Sequence, residues 1–168
     1  MPKILCISNK IFSLKGRMFI DDENGERCYE ANGEIAFSPI WTIRNTIDEV
    51  ATVQRKVWLW SPTWNIKSII GTFLVKRKVF AWSRTYNIIG GPYDGSIVKG
   101  NIWDLKFEII HENKCIASAK GKLLSIRDTH NIVVHDSEVK SEIITAIVMV
   151  ILHLDRRNAN DDEDDQNS

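Results

Sequence analysis

The sequence predicts a mainly β protein, a closed barrel of about twelve mostly antiparallel strands around one hydrophobic C-terminal helix. Two features of the 168-residue chain predict this fold. A short segment recurs about six times before residue 136, and an almost entirely apolar run, residues 143–152, follows the repeats. The length suits a single domain. We assign this domain to residues 1–157 and treat residues 158–168 as an acidic tail.

Two copies of the repeat are clear. Residues 55–66 read RKVWLWSPTWNI and residues 77–88 read RKVFAWSRTYNI. Eight of the twelve positions are identical, and two of the others exchange one aromatic side chain for another. Weaker copies of the pattern begin at Lys10, Gly33, Gly100 and Lys122. The chain therefore consists of about six units of roughly 22 residues each.

Each unit contains two short extended runs separated by turn residues, so six units predict about twelve strands. Valine, isoleucine, threonine and aromatic residues are concentrated in the runs, as is typical of strands. Asn24-Gly25 is a strong hairpin signal, and Asp94-Gly95 and Glu112-Asn113 mark further turns. Short links favour antiparallel neighbours. Closure removes the exposed edges of the sheet, but side chains alone cannot fill the centre of so wide a barrel.

The apolar run after the repeats is suited to fill that centre. We predict a helix over about residues 137–154, capped by Asp136 at its beginning and favoured by the positive charges of His153, Arg156 and Arg157 at its end. Its middle has no polar face, so protein or lipid must surround it on every side. The residues predicted to form the core of the barrel are Ile143, Ile144, Ile147, Val148, Val150 and Ile151.

A membrane-spanning helix is the alternative to a core helix. Crossing a bilayer takes roughly 20 consecutive apolar residues. The run from Val139 to Leu154 is shorter, and Lys140, Ser141 and Glu142 lie in its first turn. The length therefore favours a helix inside the barrel, without a transmembrane span.

The charge of the chain is zero in total but unevenly distributed. Residues 161–168 contain five acidic side chains and no basic one, whereas the rest of the chain has 22 basic and 17 acidic residues. A segment without apolar residues is expected to be disordered. Cys6, Cys28 and Cys115 are odd in number and widely spaced, as is typical of a reducing compartment. The N-terminus has no cleavable signal pattern. We expect a cytoplasmic protein, either free or peripheral to a membrane.

The sequence contains no pattern typical of an enzyme. His111, His130, His135 and His153 are too widely spread for metal-ligand spacing. No nucleophile elbow, phosphate-binding loop or dinucleotide fingerprint is present. We therefore expect no catalytic residue, no cofactor and no metal, and we expect a monomer.

Basic residues recur at equivalent positions of the repeat, and equivalent positions of neighbouring hairpins lie close together in a barrel. They are candidates for binding phosphate groups of lipid headgroups. The candidates are Arg55, Lys56, Lys76, Lys78, Arg84 and Lys122. Tryptophans of the same repeats suit a membrane interface. The alternative is that the lysines keep the strand exteriors soluble and the tryptophans pack the core. Nucleic acid is not an expected partner, because the body is only mildly basic and has no RNA-binding motif.

The repeat pattern, the Asp-x-x-Gly hairpin at residues 22–25, the segment GNIWDLKFEII at 100–110 and the terminal apolar helix together resemble the LURP-one-related family. That family belongs to the tubby-like group, which also includes phospholipid scramblases. The resemblance implies a twelve-stranded barrel threaded by a hydrophobic C-terminal helix and no established enzymatic activity. Relatives in the group suggest roles at membranes, through phosphoinositide binding or calcium-linked lipid movement. This chain lacks the cysteine-rich stretch of scramblases and the spacing of a calcium loop.

These observations predict a non-catalytic intracellular binding or scaffold protein that contacts anionic phospholipid headgroups. Two alternatives remain open. One is a protein–protein adaptor without a lipid role, and the other is a scramblase-like, membrane-associated protein.

Overall fold

A computed structural model describes residues 2–10, 16–34, 38–56, 59–81, 83–101, 106–119 and 130–166. These residues form twelve strands followed by one helix. The elements are β1 (Lys3–Lys10), β2 (Arg17–Asp22), β3 (Arg27–Gly33), β4 (Ile40–Arg44), β5 (Glu49–Lys56), β6 (Thr63–Ser68), β7 (Gly71–Arg77), β8 (Thr85–Ile89), β9 (Ile97–Asn101), β10 (Lys106–His111), β11 (Lys114–Ala119), β12 (His130–Val134) and α1 (Val139–Gln166).

The strands form one closed antiparallel barrel. Each strand pairs with its neighbours in the chain, and β1 pairs with both β2 and β12, so the first and last strands close the sheet. Leu5 of β1, for example, lies opposite Ile132 of β12 and Asp22 of β2. Closure satisfies the backbone hydrogen bonds that edge strands would leave open. The predicted fold class and strand number are confirmed.

The repeat corresponds to the inward-facing side chains of alternate strands. In β6, Trp64 and Ile66 are fully buried, and the equivalent Tyr86 and Ile88 of β8 are buried in the same way. Side chains two residues apart point to the same face of a strand. The pattern of a large side chain, any residue and isoleucine therefore places two core residues on one strand of each unit. Three described strands besides β6 and β8 carry related pairs, namely Met18 and Ile20 in β2, Trp41 and Ile43 in β4, and Phe107 and Ile109 in β10.

The two ends of the barrel differ. Five short turns and the connection into α1 lie at one end, which we call the turn end: 23–26, 45–48, 69–70, 90–96, 112–113 and 135–138. The six other connections, starting with that between β1 and β2, lie at the opposite end, the loop end. The turn at Asn24-Gly25 is tight: Gly25 has φ +81°, and the Asp22 carboxylate accepts the N–H groups of Asn24 and Glu26 at 2.8 and 2.9 Å.

The helix α1 enters at the turn end and runs through the centre of the barrel. Every residue from Ile143 to Asp155 is buried, including the six predicted core residues, each of which is at most 4% exposed. The Thr145 hydroxyl donates to the carbonyl of Ser141 at 2.6 Å, so it needs no water. Asp136 accepts the Glu138 N–H at 3.1 Å and the Ser141 hydroxyl at 2.7 Å, so it contacts the beginning of the helix through the residue before it and through a side chain of the first turn. These hydrogen bonds, that of Ser141 first, lower the pKa of Asp136 below its ordinary value.

Both ends of α1 differ from the predicted span 137–154. The helix begins at Val139, after the connection that contains Asp136, and its backbone continues to Gln166. His153, expected near the final turn, therefore lies within the helix and is only 6% exposed. The disorder expected for residues 158–168 stays a prediction. The described residues contain no helix that is both long enough and apolar enough to cross a membrane.

Replacing Ile147 or Val148 with aspartate should destabilise the entire barrel, because an unpaired buried charge costs several kcal/mol. Both side chains are at most 1% exposed. We expect Ile147→Asp and Val148→Asp to lose cooperative thermal unfolding or to melt far below the wild type. Lys140→Asp on the exposed first turn of α1 is the control and should melt as the wild type does. A normal melting curve for Ile147→Asp would contradict a helix at the centre of the barrel.

Candidate functional site at the loop end

Five of the six predicted headgroup-binding residues lie together at the loop end. Arg55 and Lys56 end β5, Lys76 lies next to the end of β7, and Lys78 and Arg84 lie in the connection between β7 and β8. The sixth, Lys122, lies outside the described residues. Each clear copy of the repeat is therefore the end of one strand, a loop and the beginning of the next strand.

Strand register divides these residues between two faces. Arg55 lies opposite Trp64 and belongs to the inward-facing series of Ala51 and Val53, so it points towards the barrel opening and is half-buried. Lys56 is exposed and lies opposite Thr63, which lies opposite Lys76 across the next pair of strands. Two strand spacings amount to about 10 Å. Lys56 and Lys76 therefore flank β6 on the outer face of the rim.

Lys78 completes this group. Its backbone N–H donates to the carbonyl of Thr85 at 2.8 Å, which places it directly beyond the end of β7, and its side chain is exposed. Among the described side chains, none of Lys56, Lys76 and Lys78 forms an ion pair. We call these three residues the lysine rim.

A buried ion pair lies inside the same opening. The Arg77 guanidinium donates to both oxygens of Asp155 at 2.9 and 2.8 Å, and the Tyr86 hydroxyl donates to the same carboxylate at 2.7 Å. Asp155 is 2% exposed in its side chain, and Arg77 is 28% exposed. Burial, together with the charge of Asp155, raises the pKa of Tyr86 far above its ordinary value, so the hydroxyl stays protonated. The cluster attaches the helix to β7 and β8.

The sequence prediction missed Asp155, and it assigned Arg84 only to ligands. Asp155 directly follows the apolar run, where an acidic residue is normally solvated at the end of a helix. The role of Asp155 depends on Arg77, which is distant in sequence. The sequence signal for its burial is its spacing from Ile151, which places Asp155 on the same helix face as that core residue. Arg84 lies 3.8 Å from the Asp155 carboxylate and is 37% exposed, so part of its charge is already balanced inside the protein.

Exposed apolar side chains also lie at this end. Trp60 and Phe80 are fully exposed, at 102% and 100%, and Leu59 and Val79 beside them are exposed by more than half. Trp64 and Trp41 are instead buried in the core, at 1% and 8%. Core packing, the alternative for the tryptophans, is thus confirmed for Trp41 and Trp64, and a membrane-interface role stays a prediction for Trp60. Trp58, Trp82 and Trp103 lie outside the described residues.

Charge separates the two ends of the barrel. Each end comprises its connections, the two residues of every strand that are nearest to it, and the nearest residues of α1. Only side chains that the structure describes are included. The turn end has eleven acidic side chains, Asp21, Asp22, Glu23, Glu26, Asp48, Glu49, Asp94, Glu112, Asp136, Glu138 and Glu142, and six basic ones, Lys3, Arg27, Arg44, Lys67, Lys114 and Lys140. The loop end has seven basic side chains, Arg17, Arg55, Lys56, Lys76, Arg77, Lys78 and Arg84, and two acidic ones, Glu34 and Asp155. The described surface is thus negative at the turn end and positive at the loop end.

The histidines of the described side chains have structural partners or lie in the core. His111 shares a hydrogen bond of 2.7 Å with Ser96, His135 shares one of 2.8 Å with Ser118, and His153 is buried in α1. No group of three histidine, cysteine, aspartate or glutamate side chains in the described part of the chain could hold a metal ion. The chemistry available at the loop end is therefore that of cations and exposed aromatic rings.

A family model described as LURP-one-related matches residues 3–152. The match extends from the first strand of the barrel through most of the buried part of α1. Neither a search of curated proteins nor a search of solved structures gave a match.

Removing Arg77 should cost more stability than removing the charge of Asp155. Arg77→Met leaves a buried carboxylate with only Tyr86 and the distant Arg84 as partners, and we expect a loss of about 3–5 kcal/mol in the free energy of unfolding. Asp155→Asn leaves a guanidinium that water can reach, and we expect a loss of about 1–3 kcal/mol. Urea unfolding measures both. The double variant should be more stable than Arg77→Met alone, and a double variant less stable than either single one would contradict this assignment.

Proposed function

The chain belongs to the LURP-one-related family, and we propose that it is a non-catalytic, cytoplasmic binding or scaffold protein whose loop end contacts anionic phospholipid headgroups. The observation that carries this proposal is the lysine rim, which places three exposed ammonium groups without described acidic partners on one edge of the barrel.

The separation of charge supports an oriented contact. An anionic surface attracts the basic loop end and repels the acidic turn end, so the field of the protein itself turns the loop end towards the surface. Each lysine close to an anionic membrane contributes about 1 kcal/mol of attraction. Three lysines therefore contribute roughly a hundredfold in affinity when their effects add.

Two arginines can add hydrogen bonds to this attraction. Arg55 is half-buried in the barrel opening, and no acidic side chain lies within ion-pair distance of it among the described residues. A guanidinium presents a planar fork of donors that matches phosphate oxygens. Arg84 has the same chemistry, but Asp155 balances part of its charge. Arg55 is therefore the better candidate for a direct contact with a headgroup.

The two alternatives differ in what they require. A protein–protein adaptor would use the same exposed loop end, and lipid-binding measurements separate it from the present proposal. A scramblase-like protein that uses its terminal helix requires that helix to be available to the membrane, whereas residues Ile143–Asp155 are buried within the barrel.

Charge reversal of the lysine rim should abolish binding to anionic vesicles. In flotation assays at low salt, where screening is weakest, we expect the wild type to float with vesicles that contain phosphatidylserine or a phosphoinositide, and to bind far more weakly to phosphatidylcholine alone. The variant Lys56→Glu/Lys76→Glu/Lys78→Glu should lose at least roughly a hundredfold in affinity.

The matched control carries three reversals at the turn end, Lys67→Glu/Lys114→Glu/Lys140→Glu. It has the same net charge as the rim variant, so a general effect of charge would weaken both equally. Equal weakening, or a wild type that binds no vesicle at low salt, would contradict lipid contact by the loop end. A wild type that instead captures one protein in stoichiometric amount would support the adaptor.

Deleting residues 158–168 should strengthen vesicle binding and leave the melting temperature nearly unchanged. The helical backbone of α1 continues beyond Asp155 at the loop end to Gln166, and this stretch contains the five acidic residues 161–165. The first of them lies about 9 Å beyond Asp155 along a straight helix, a distance within the Debye length of about 30 Å at the low salt of roughly 0.01 M. Their repulsion of an anionic surface is lost in the truncated protein. Weaker binding after truncation would show that the acidic segment does not oppose the contact.

A further inference from the structure

We propose that the β5–β6 and β7–β8 loops insert Trp60 and Phe80 into the interfacial layer of a bilayer, so that the barrel stands on its loop end. This inference rests on the proposed function and adds the depth and the orientation of the membrane contact. The two loops bind the layer of the bilayer where headgroups meet acyl chains. This layer lies directly beneath the headgroups that the lysine rim contacts.

The two loops form one structural unit. The Ser61 hydroxyl donates to the carbonyl of Arg77, and the Arg77 N–H donates to the carbonyl of Pro62 at 2.9 Å. The base of the first loop is therefore attached to the end of β7, from which the second loop begins. Trp60 immediately precedes Ser61, and Phe80 lies three residues after Arg77. Both aromatic side chains thus project from neighbouring positions of the same rim.

Trp60 and Phe80 are not buried against the barrel. Exposure of Trp60 and Phe80 is complete, and Leu59 and Val79 next to them are also exposed. Exposed apolar surface of this kind marks a contact with a partner or a membrane.

A bilayer fits these loops better than a protein surface. The flanking cations are lysines, in which protein interfaces are depleted, whereas lysine and tryptophan together are typical of membrane interfaces. A second copy of this chain fits poorly as well. A symmetric dimer through these loops would bring the lysine rim of one copy close to that of the other. Both observations favour an anionic bilayer.

The turn end provides the contrast. Ile47 and Ile69 are exposed there, at 81% and 63%, but both are aliphatic, and Ile47 lies beside the acidic Asp48 and Glu49. An anionic surface repels that end. Removing exposed apolar side chains should therefore weaken membrane binding at the loop end and leave it unchanged at the turn end. Ile47 and Ile69 supply the matched control for Trp60 and Phe80.

The test compares Trp60→Ala/Phe80→Ala with Ile47→Ala/Ile69→Ala in flotation with phosphatidylserine-containing vesicles, at low and high salt. The wild type should retain part of its binding at high salt, because insertion of apolar groups is not screened. The loop variant should bind roughly tenfold to a hundredfold more weakly and lose the salt-resistant part. The turn variant should bind as the wild type does. All four side chains are exposed, so unchanged melting curves should accompany these results.

A second measurement reports depth. Lipids brominated near the headgroup end of the acyl chain should quench the tryptophan fluorescence of the bound wild type, and Trp60→Phe should be quenched less while still bound. Binding that is equal in the wild type and the loop variant would overturn insertion and leave the electrostatic contact standing. A wild type that binds no vesicle would overturn both proposals. A wild-type dimer that the loop substitutions convert to a monomer would assign the loops to a second copy and overturn the bilayer.

Discussion

The barrel depends on an apolar helix that fills its centre. Twelve strands enclose a space that their own side chains cannot fill, and an empty core of that size would forfeit the packing on which the fold rests. The strands supply two inward-facing large side chains per alternate strand, and α1 supplies a surface that is apolar on all sides. Neither part is stable alone. The strands would enclose a void, and the helix would expose its isoleucines and valines to water.

Polar groups at the two ends of the helix fix its position along the barrel axis. Apolar contacts are not directional, so they oppose a sliding movement only weakly compared with hydrogen bonds. At the turn end, Glu142 accepts hydrogen bonds from Lys3 and Tyr29, both at 2.8 Å. At the loop end, Asp155 accepts them from Arg77 and Tyr86. Two acidic residues thirteen positions apart thus hold the helix between strands on different sides of the barrel.

Much of the fold could be predicted because the information for it is local or periodic. The repeat reveals the strand number, Asn24-Gly25 reveals a hairpin, and the composition of residues 143–152 reveals a core helix.

The candidate site was harder to predict. Arg55 and Lys56 are adjacent in sequence, yet one faces the opening and the other faces outward, and only strand register decides which. Asp155 and Arg77 are 78 residues apart, so their pairing arises from the closed barrel and has no local signal. Exposure of Trp60 was equally hidden, because buried Trp64 occurs in the same repeat.

The needs of the fold separate structural residues from those that remain available for binding. Arg77 is occupied by Asp155, and Arg84 is partly occupied by it. Trp64 and Tyr86 are in the core. The lysine rim, Trp60 and Phe80 are exposed, and the rim forms no ion pair with the described side chains. Exposed aromatic rings carry a solubility cost. Their position on one rim, opposite an acidic turn end, gives the molecule a direction along its axis. A barrel organised around a single axial helix thereby places its exposed lysines and its exposed aromatic rings on the same rim.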